Sequence, residues 1–306
     1  MFKNLIIYRI AGLTADDFQR AEQALNESAF TPCKPTEERS HGWIPPRREE
    51  NGPLIESVGG QWLLRFKTET KLLPASVIAQ KVQEKAAAIE QTTGHKPGKR
   101  ECRELKEEAK LDLLPQAFTR HGTTLVWIDP KAQFLVVDTA SQTKADELTT
   151  ALVKAIDGLS LRLLDTQTSP ATAMANWLSS QYAPADFSID RECELKGSGE
   201  EKSVVKYGRH PLDIEEIRAH IEAGKMPTKL ALTWQDRVSF VLTDSLQIKK
   251  ISLLDVVTQD KSEDGFDADV AIFTGEMAAL IPCLIDVLDG ERIDKHCPEQ
   301  GVFLSQ

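Results

Sequence analysis

Asp267 and Asp269 lie two residues apart in "GFDADVAIFTGEM", and Glu276 follows in the same stretch. Read as a strand passing into an apolar helix, the segment puts both aspartates on one face, because strand side chains two apart point the same way. Three carboxylates so placed could hold magnesium for phosphodiester hydrolysis, with the metal stabilising the attacking and leaving oxygens. An edge-strand charge pair plus an acid in the first turn of the next helix meets the same pattern. The six histidines show no H-x-E or H-x-x-x-H spacing. His296 and Cys297 are adjacent, but nothing else near them in sequence completes a ligand set. Neither a G-x-S-x-G nucleophile motif nor a glycine-rich phosphate loop occurs, so no cofactor is expected. The cysteines at 33, 102, 193, 283 and 297 form no C-x-x-C pair and read as free, reduced thiols.

The positive charge is more informative than the carboxylates. A formal charge of −10 argues against a polyanionic partner, but net charge does not locate charges. Lys202, Lys206 and Arg209 fall within "KSVVKYGRHPL", which has no carboxylate and interleaves Tyr207 and His210 as hydrogen-bonding partners. Lys225 and Lys229 follow in "GKMPTKLAL", and Lys249 with Lys250 in "QIKKISLL". A groove lined by such side chains binds a nucleic-acid backbone through counterion release without reading bases. An ordinary solvated face accounts equally well for these residues alone. A further cluster sits in "LLPQAFTRHG", which places Phe118 beside Arg120 and His121 at the end of a charged helix.

Stepwise periodicity supplies the elements that must position these groups. "NLIIYRI" reads as a strand and "TADDFQRAEQALNES" as a helix capped by Thr14. The Pro- and Gly-rich segment from Phe30 to Ser57 reads as a loop ordered around Trp43. "GGQWLLRFKTETKLL" is a strand, and two charged helices then follow, so residues 75–121 are expected to form a projecting helical hairpin, or tip. Apolar runs on either side of Asp129-Pro130 mark a β-hairpin, closed by the helix "KADELTTALVKAIDGL". Residues 1–74 and 122–168 thus read as a discontinuous central α+β domain. Residues 169–306 read as a second α+β domain, or base, with a helix capped by Asp213 and strands meeting across Gln235-Asp236. Mixed, mainly antiparallel sheets are expected rather than a doubly wound parallel one. "LIIY" is too short for a signal peptide or membrane span, so a cytosolic location is expected.

Collinear motifs along the whole chain resemble one family. "FKNLIIYR", "AFTPC", "GWIPP", "LLPQAFTR" followed by "WIDP", "HIEAGKMPTKLALTWQDRVSFVL" and "FDADVAIFTGEMAALI" are similar to the recombination-associated protein RdgC family. The resemblance implies a nucleoid-associated DNA-binding protein, not an enzyme. It implies binding to double-stranded and single-stranded DNA without sequence preference, and restraint of RecA-driven strand exchange. It also implies a ring-shaped homodimer whose positively lined hole accommodates duplex DNA, with no membrane partner. On this view Lys202, Lys206, Arg209, His210, Lys225 and Lys229 face DNA. Phe118 and Arg120 either close the ring against the symmetry mate or touch DNA. His210 stands where the family can carry glutamine, and it retains hydrogen-bonding capacity.

Overall fold

The computed structural model describes residues 2–47, 49, 51–197, 199, 203–212, 215–258 and 265–292. The chain begins with β1 (Leu5–Ala11), α1 (Phe18–Glu27), β2 (Arg39–Ile44), β3 (Ile55–Val58) and β4 (Gln61–Lys71). Two helices follow, α2 (Ala75–Thr93) and α3 (Lys99–Leu113), then β5 (Thr119–Asp129), β6 (Phe134–Asp138), α4 (Gln142–Ala155) and β7 (Ser160–Leu163). The C-terminal half contributes α5 (Pro170–Ser180), β8 (Phe187–Gly197), β9 (Val204–Gly208) and α6 (Glu215–Glu222). It continues through β10 (Lys225–Trp234), β11 (Val238–Thr243), β12 (Ile248–Leu253), α7 (Asp255–Thr258) and α8 (Phe266–Asp286).

All named strands join one sheet of 12 strands, ordered β2-β4-β5-β6-β1-β12-β11-β10-β8-β9, with β3 on β4 and β7 on β1. Every ladder between named strands is antiparallel, so the α+β class with antiparallel pairing matches the sequence expectation. The N-terminal and C-terminal strands meet where Leu5 pairs with Ile248.

Alternation along β1 explains its continuous apolar run. Leu5 and Ile7 enter one core, shared with α5, α6 and α8, while Ile6, Tyr8 and Ile10 enter another, covered by α1 and α4. A strand buried on both faces has no polar side to show. Over β8 to β12 only the first of these faces carries helices; the opposite face has no helix packed on it among the described residues.

Local chemistry sets the turns. Asp129 accepts from the N–H groups of Lys131 and Ala132 through one carboxylate oxygen, closing the β5–β6 hairpin. Gln235 and Asp236 both have positive φ, as the central residues of a type I′ turn require; Arg237 donates to the Trp234 carbonyl at 2.9 Å to close it, and Trp234 pairs with Val238 across the three-residue connection. Gly94 ends α2 at φ +74°, and Gly98 donates to Glu101 at 2.7 Å where α3 begins. Lys85 on α2 then ties the two helices together through Glu108 at 2.9 Å and Asp112 at 2.7 Å.

Two expectations need correction, and one unassigned stretch gains structure. The segment around Trp43 is not wholly irregular: β2 and β3 form in it, and Trp43 is buried against Phe66. Gly42 lets the Ala29–Phe30 backbone lie against β2, because a Cβ there would lie 2.5 Å from the Phe30 Cα. The charged stretch from Asp190 to Leu212, to which the sequence assigns no element, holds the hairpin β8–β9. Finally, Phe266 to Val270 is helix from its first residue, since Val270, Phe273, Met277, Leu280 and Leu284 recur at three- and four-residue intervals and are buried. Phe273 stacks on Phe2 with ring centroids 4.8 Å apart. Although α8 is long and apolar enough to cross a membrane, this stripe lies in the protein core.

Candidate nucleic-acid interface

Lys206, Glu194 and Lys229 form a row across three adjacent strands. Glu194 on β8 is opposite Lys206 on β9 and Lys229 on β10. Their side chains meet: Glu194 accepts from Lys229 at 3.0 Å and pairs with Lys206 at 3.2 Å. Thr228 adds a hydroxyl donor at 2.9 Å. Lys229, then Thr228 and Lys206, hold the carboxyl of Glu194 down at about 2 against the opposing effect of desolvation. Cys193 and Leu195 point from the same strand into the core, and burial pushes the Cys193 thiol up to about 12.

A β-bulge places Lys229 in this row. Pro227 is opposite core-facing Leu195, yet Lys229 is opposite Glu194, so Thr228 is the extra residue on β10. The extra residue reverses the alternation. Consequently Lys225 and Lys229, four residues apart, face opposite ways. The Lys225 ammonium lies 2.9 Å from Nδ1 of His220 on α6, under the helices, while Lys229 faces the open side.

The open side also gains Lys250. Its ammonium pairs with Glu192 on β8, over the intervening β11 and β10. Three strand spacings amount to about 14 Å in a flat sheet, so this contact requires an inward curl of the face. Val241 and Thr243, on the same side, are 4% and 3% exposed. The result is a shallow trough in which Lys206 and Lys250 remain well exposed.

The other expected residues are distributed more widely. Arg209 and His210 occupy the turn after β9; both are exposed, with Arg209 at φ +56° and His210 Nδ1 2.8 Å from the Pro211 carbonyl. Tyr207 is not a surface partner: it lies on the core side, and burial followed by Glu216 raises its hydroxyl to about 12. Lys202, Asp213, His296 and Cys297 lie outside the described residues.

Phe118 is 85% exposed, which fits a contact residue rather than a core anchor. It stands at the root of the helical pair, not at its far end, because its carbonyl accepts from Leu72 where β4 finishes. Arg120 and His121 belong to β5, opposite Thr70 and Glu69, rather than to a helix end. Leu72, Val77 and Leu111 add further exposed apolar groups at the helix roots. The far turn between α2 and α3 carries exposed Lys96, with Lys99, exposed Arg100 and Arg103 on the first turns of α3.

The three carboxylates weighed for metal chemistry are not brought together. At 100° per helical residue, Asp267 and Asp269 diverge by about 200°, and Glu276 emerges on the side opposite Asp267. Asp267 pairs with Arg47, and Glu276 binds Arg237 through both oxygens. Among the described residues no group of three or more His, Cys, Asp or Glu could hold a metal ion.

A family model described as "Putative exonuclease, RdgC" matches residues 1–291. The chain belongs to the RdgC family. Proteins named "Recombination-associated protein RdgC" are similar to it over nearly its full length. The one from Dechloromonas aromatica is 43% identical over 302 residues, covering 96% of this chain and 99% of the relative. Those from Cupriavidus pinatubonensis and a Janthinobacterium species are each 45% identical, covering 95% of this chain and 99% and 98% of the relatives. In this RdgC-family chain, the residues that sequence reasoning missed are Glu192, Glu194 and Thr228. Alternation of Glu192 and Glu194 with buried Cys193 and Leu195 carried a signal for the first two. For the bulge at Thr228 the signal was Pro227, since a proline within a central strand marks a bulge.

Proposed function

We propose that this chain binds DNA through its phosphate backbone, without sequence preference and without chemistry on the strand, in the course of recombination. The observation that carries the reading is the row Lys206–Glu194–Lys229, with Lys250 beside it, on a sheet face that no helix among the described residues covers. Ammonium groups on a shallow trough meet phosphates as point charges, and nothing among them resembles a base-reading helix. The remaining acidic surface, in a chain of net charge −10, disfavours stray contacts and directs a polyanion to the basic face.

The family resemblance extends the proposal to a ring-shaped homodimer around duplex DNA, located in the cytoplasm and nucleoid, which restrains RecA. In it, residues 75–121 form the projecting tip, 1–74 with 122–168 the centre and 169–306 the base. Phe118, exposed among Leu72, Val77 and Leu111, supplies an apolar contact for closing such a ring.

The test is a salt titration. The slope of log K against log salt is expected to be about −0.9 per phosphate contact, and Lys206→Ala and Lys229→Ala are each expected to flatten it by about one unit. Unchanged slopes, or strong preference for one sequence, reject phosphate binding at this face. Magnesium-dependent loss of a labelled duplex, abolished by Asp267→Ala, rejects the non-enzymatic reading.

A further inference from the structure

A second row of cations crosses the same side of the sheet at its other end. Arg39 on β2 is opposite Thr70 on β4, and Thr70 is opposite Arg120 on β5. The neighbouring row is His41, Thr68 and Gly122. Alternation from buried Trp43, Phe66 and Val126 assigns both rows to the face that carries α1 and α4. Continued along the sheet, this is the open face of Lys206 and Lys229.

We propose that Arg39, Thr70 and Arg120 form a second phosphodiester-binding row, extending the DNA contact beyond the trough; this inference rests on the DNA-binding reading above. Adjacent strands are about 4.8 Å apart, so the two arginines are rooted about 10 Å from each other with a hydroxyl between them. Guanidinium forks at that separation can engage neighbouring phosphates bidentately.

Next to the row is a cavity of about 70 Å³, lined in part by Arg39, Thr68, Gly122, Lys144 and Glu147. Gly122 keeps its floor open, since a Cβ there would lie 3.0 Å from the Thr68 hydroxyl oxygen. An anion already occupies its rim: the Glu147 carboxylate pairs with Arg39 and lies 3.7 Å from Nδ1 of His41. Arg39 remains 48% exposed beside this internal carboxylate, and Arg120 is exposed, its side chain with no hydrogen bond or ion pair among the described residues. An incoming phosphate oxygen can take the place of Glu147 on Arg39 while Arg120 holds its neighbour. The ligand is thus a polynucleotide backbone, with Glu147 as the built-in competitor.

The experiment uses the full-length protein, a fixed-sequence duplex and inorganic phosphate as separate probes. Arg39→Ala and Arg120→Ala are each expected to flatten the duplex salt slope by about one unit, Arg120→Lys to retain it, and Glu147→Gln to tighten binding severalfold. Thermal unfolding and sedimentation on each variant separate these effects from misfolding and from altered self-association. Unchanged slopes in Arg39→Ala and Arg120→Ala, with Lys206→Ala and Lys229→Ala flattened, overturn this row and leave the DNA-binding reading standing. If all four slopes equal that of the unaltered protein, that reading falls as well. Arginine-dependent binding of inorganic phosphate with an unchanged duplex slope also overturns the proposal, as does a slope change traced entirely to altered self-association.

Discussion

Glu194 and Lys229 are cross-strand neighbours whose side chains meet at 3.0 Å, and the same carboxylate holds Lys206 at 3.2 Å. One acid therefore orients two of the cations that a phosphate would meet and at the same time offsets part of their charge. Glu194→Gln is expected to raise duplex affinity by up to about fivefold at low salt, the scale of one partly exposed ion pair. Binding isotherms check it, and a loss of affinity would mean that orientation outweighs charge.

The pH dependence of stability follows from the same carboxyl. Its folded-state value of about 2 is below the ordinary value of 4.5, so it stabilises the fold above pH 4.5 and loses that contribution as pH falls towards 2. Melting curves between pH 5 and 2.5 are expected to fall more steeply for the unaltered chain than for Glu194→Gln. Parallel curves reject the assignment.

Phe118→Ala is expected to change stability by no more than about 0.5 kcal/mol, because the ring is 85% exposed. Trp43→Ala, which empties a fully buried site, should cost about 3–5 kcal/mol. Sedimentation and DNA dissociation on the first variant complete the test. Unaltered self-association and DNA retention would remove Phe118 from the contact surface.

The buried Cys193 thiol, pushed up to about 12, should resist alkylation at pH 8 in the folded protein and react only on unfolding. Mass spectrometry of the labelled peptides reads this directly. Modification of Cys193 at the rate of a denatured control would contradict its burial.

Breaking the Arg237–Glu276 pair with Glu276→Gln should destabilise the fold by about 1–2 kcal/mol, because the carboxylate is largely buried and accepts two bonds. Asp267→Asn, at a side chain 62% exposed, should cost under about 1 kcal/mol. Thermal unfolding distinguishes the two; equal costs would contradict the difference in burial.

Much of the sheet was legible because its strands obey one period. "LIIYRI" and "LALTW" declare burial, and the turn residues between "WIDP" and "FLVV" declare a hairpin. The hairpin β8–β9 was not legible: only Cys193 and Leu195 mark its core face, and the alternating Glu192, Glu194 and Lys196 read as a plain charged run. The "DADV" motif failed for the opposite reason. Its short two-residue alternation suggested a strand, but the longer run from Val270 to Leu284 buries a helical stripe. Lys225 and Lys229 looked equivalent because the one sign of the phase reversal at Thr228 is Pro227, which cannot donate to a ladder and in a central strand marks a bulge.

The join at Leu5 and Ile248 has a mechanical consequence. A single registered residue pair links β1 to β12, supplemented by Ile251 donating to the Lys3 carbonyl and by Lys250 donating its backbone N–H to the Asn4 side chain. Rigidity across this seam therefore comes chiefly from side chains packed around the Phe2–Phe273 stack, rather than from a long hydrogen-bonded ladder. Bending there would strain few backbone hydrogen bonds but would slide α8 across the sheet. The helix thus acts as a leaf spring between the two ends of the sheet, and its packing sets how stiffly the row of Lys206 and Lys229 keeps its spacing from that of Arg39 and Arg120.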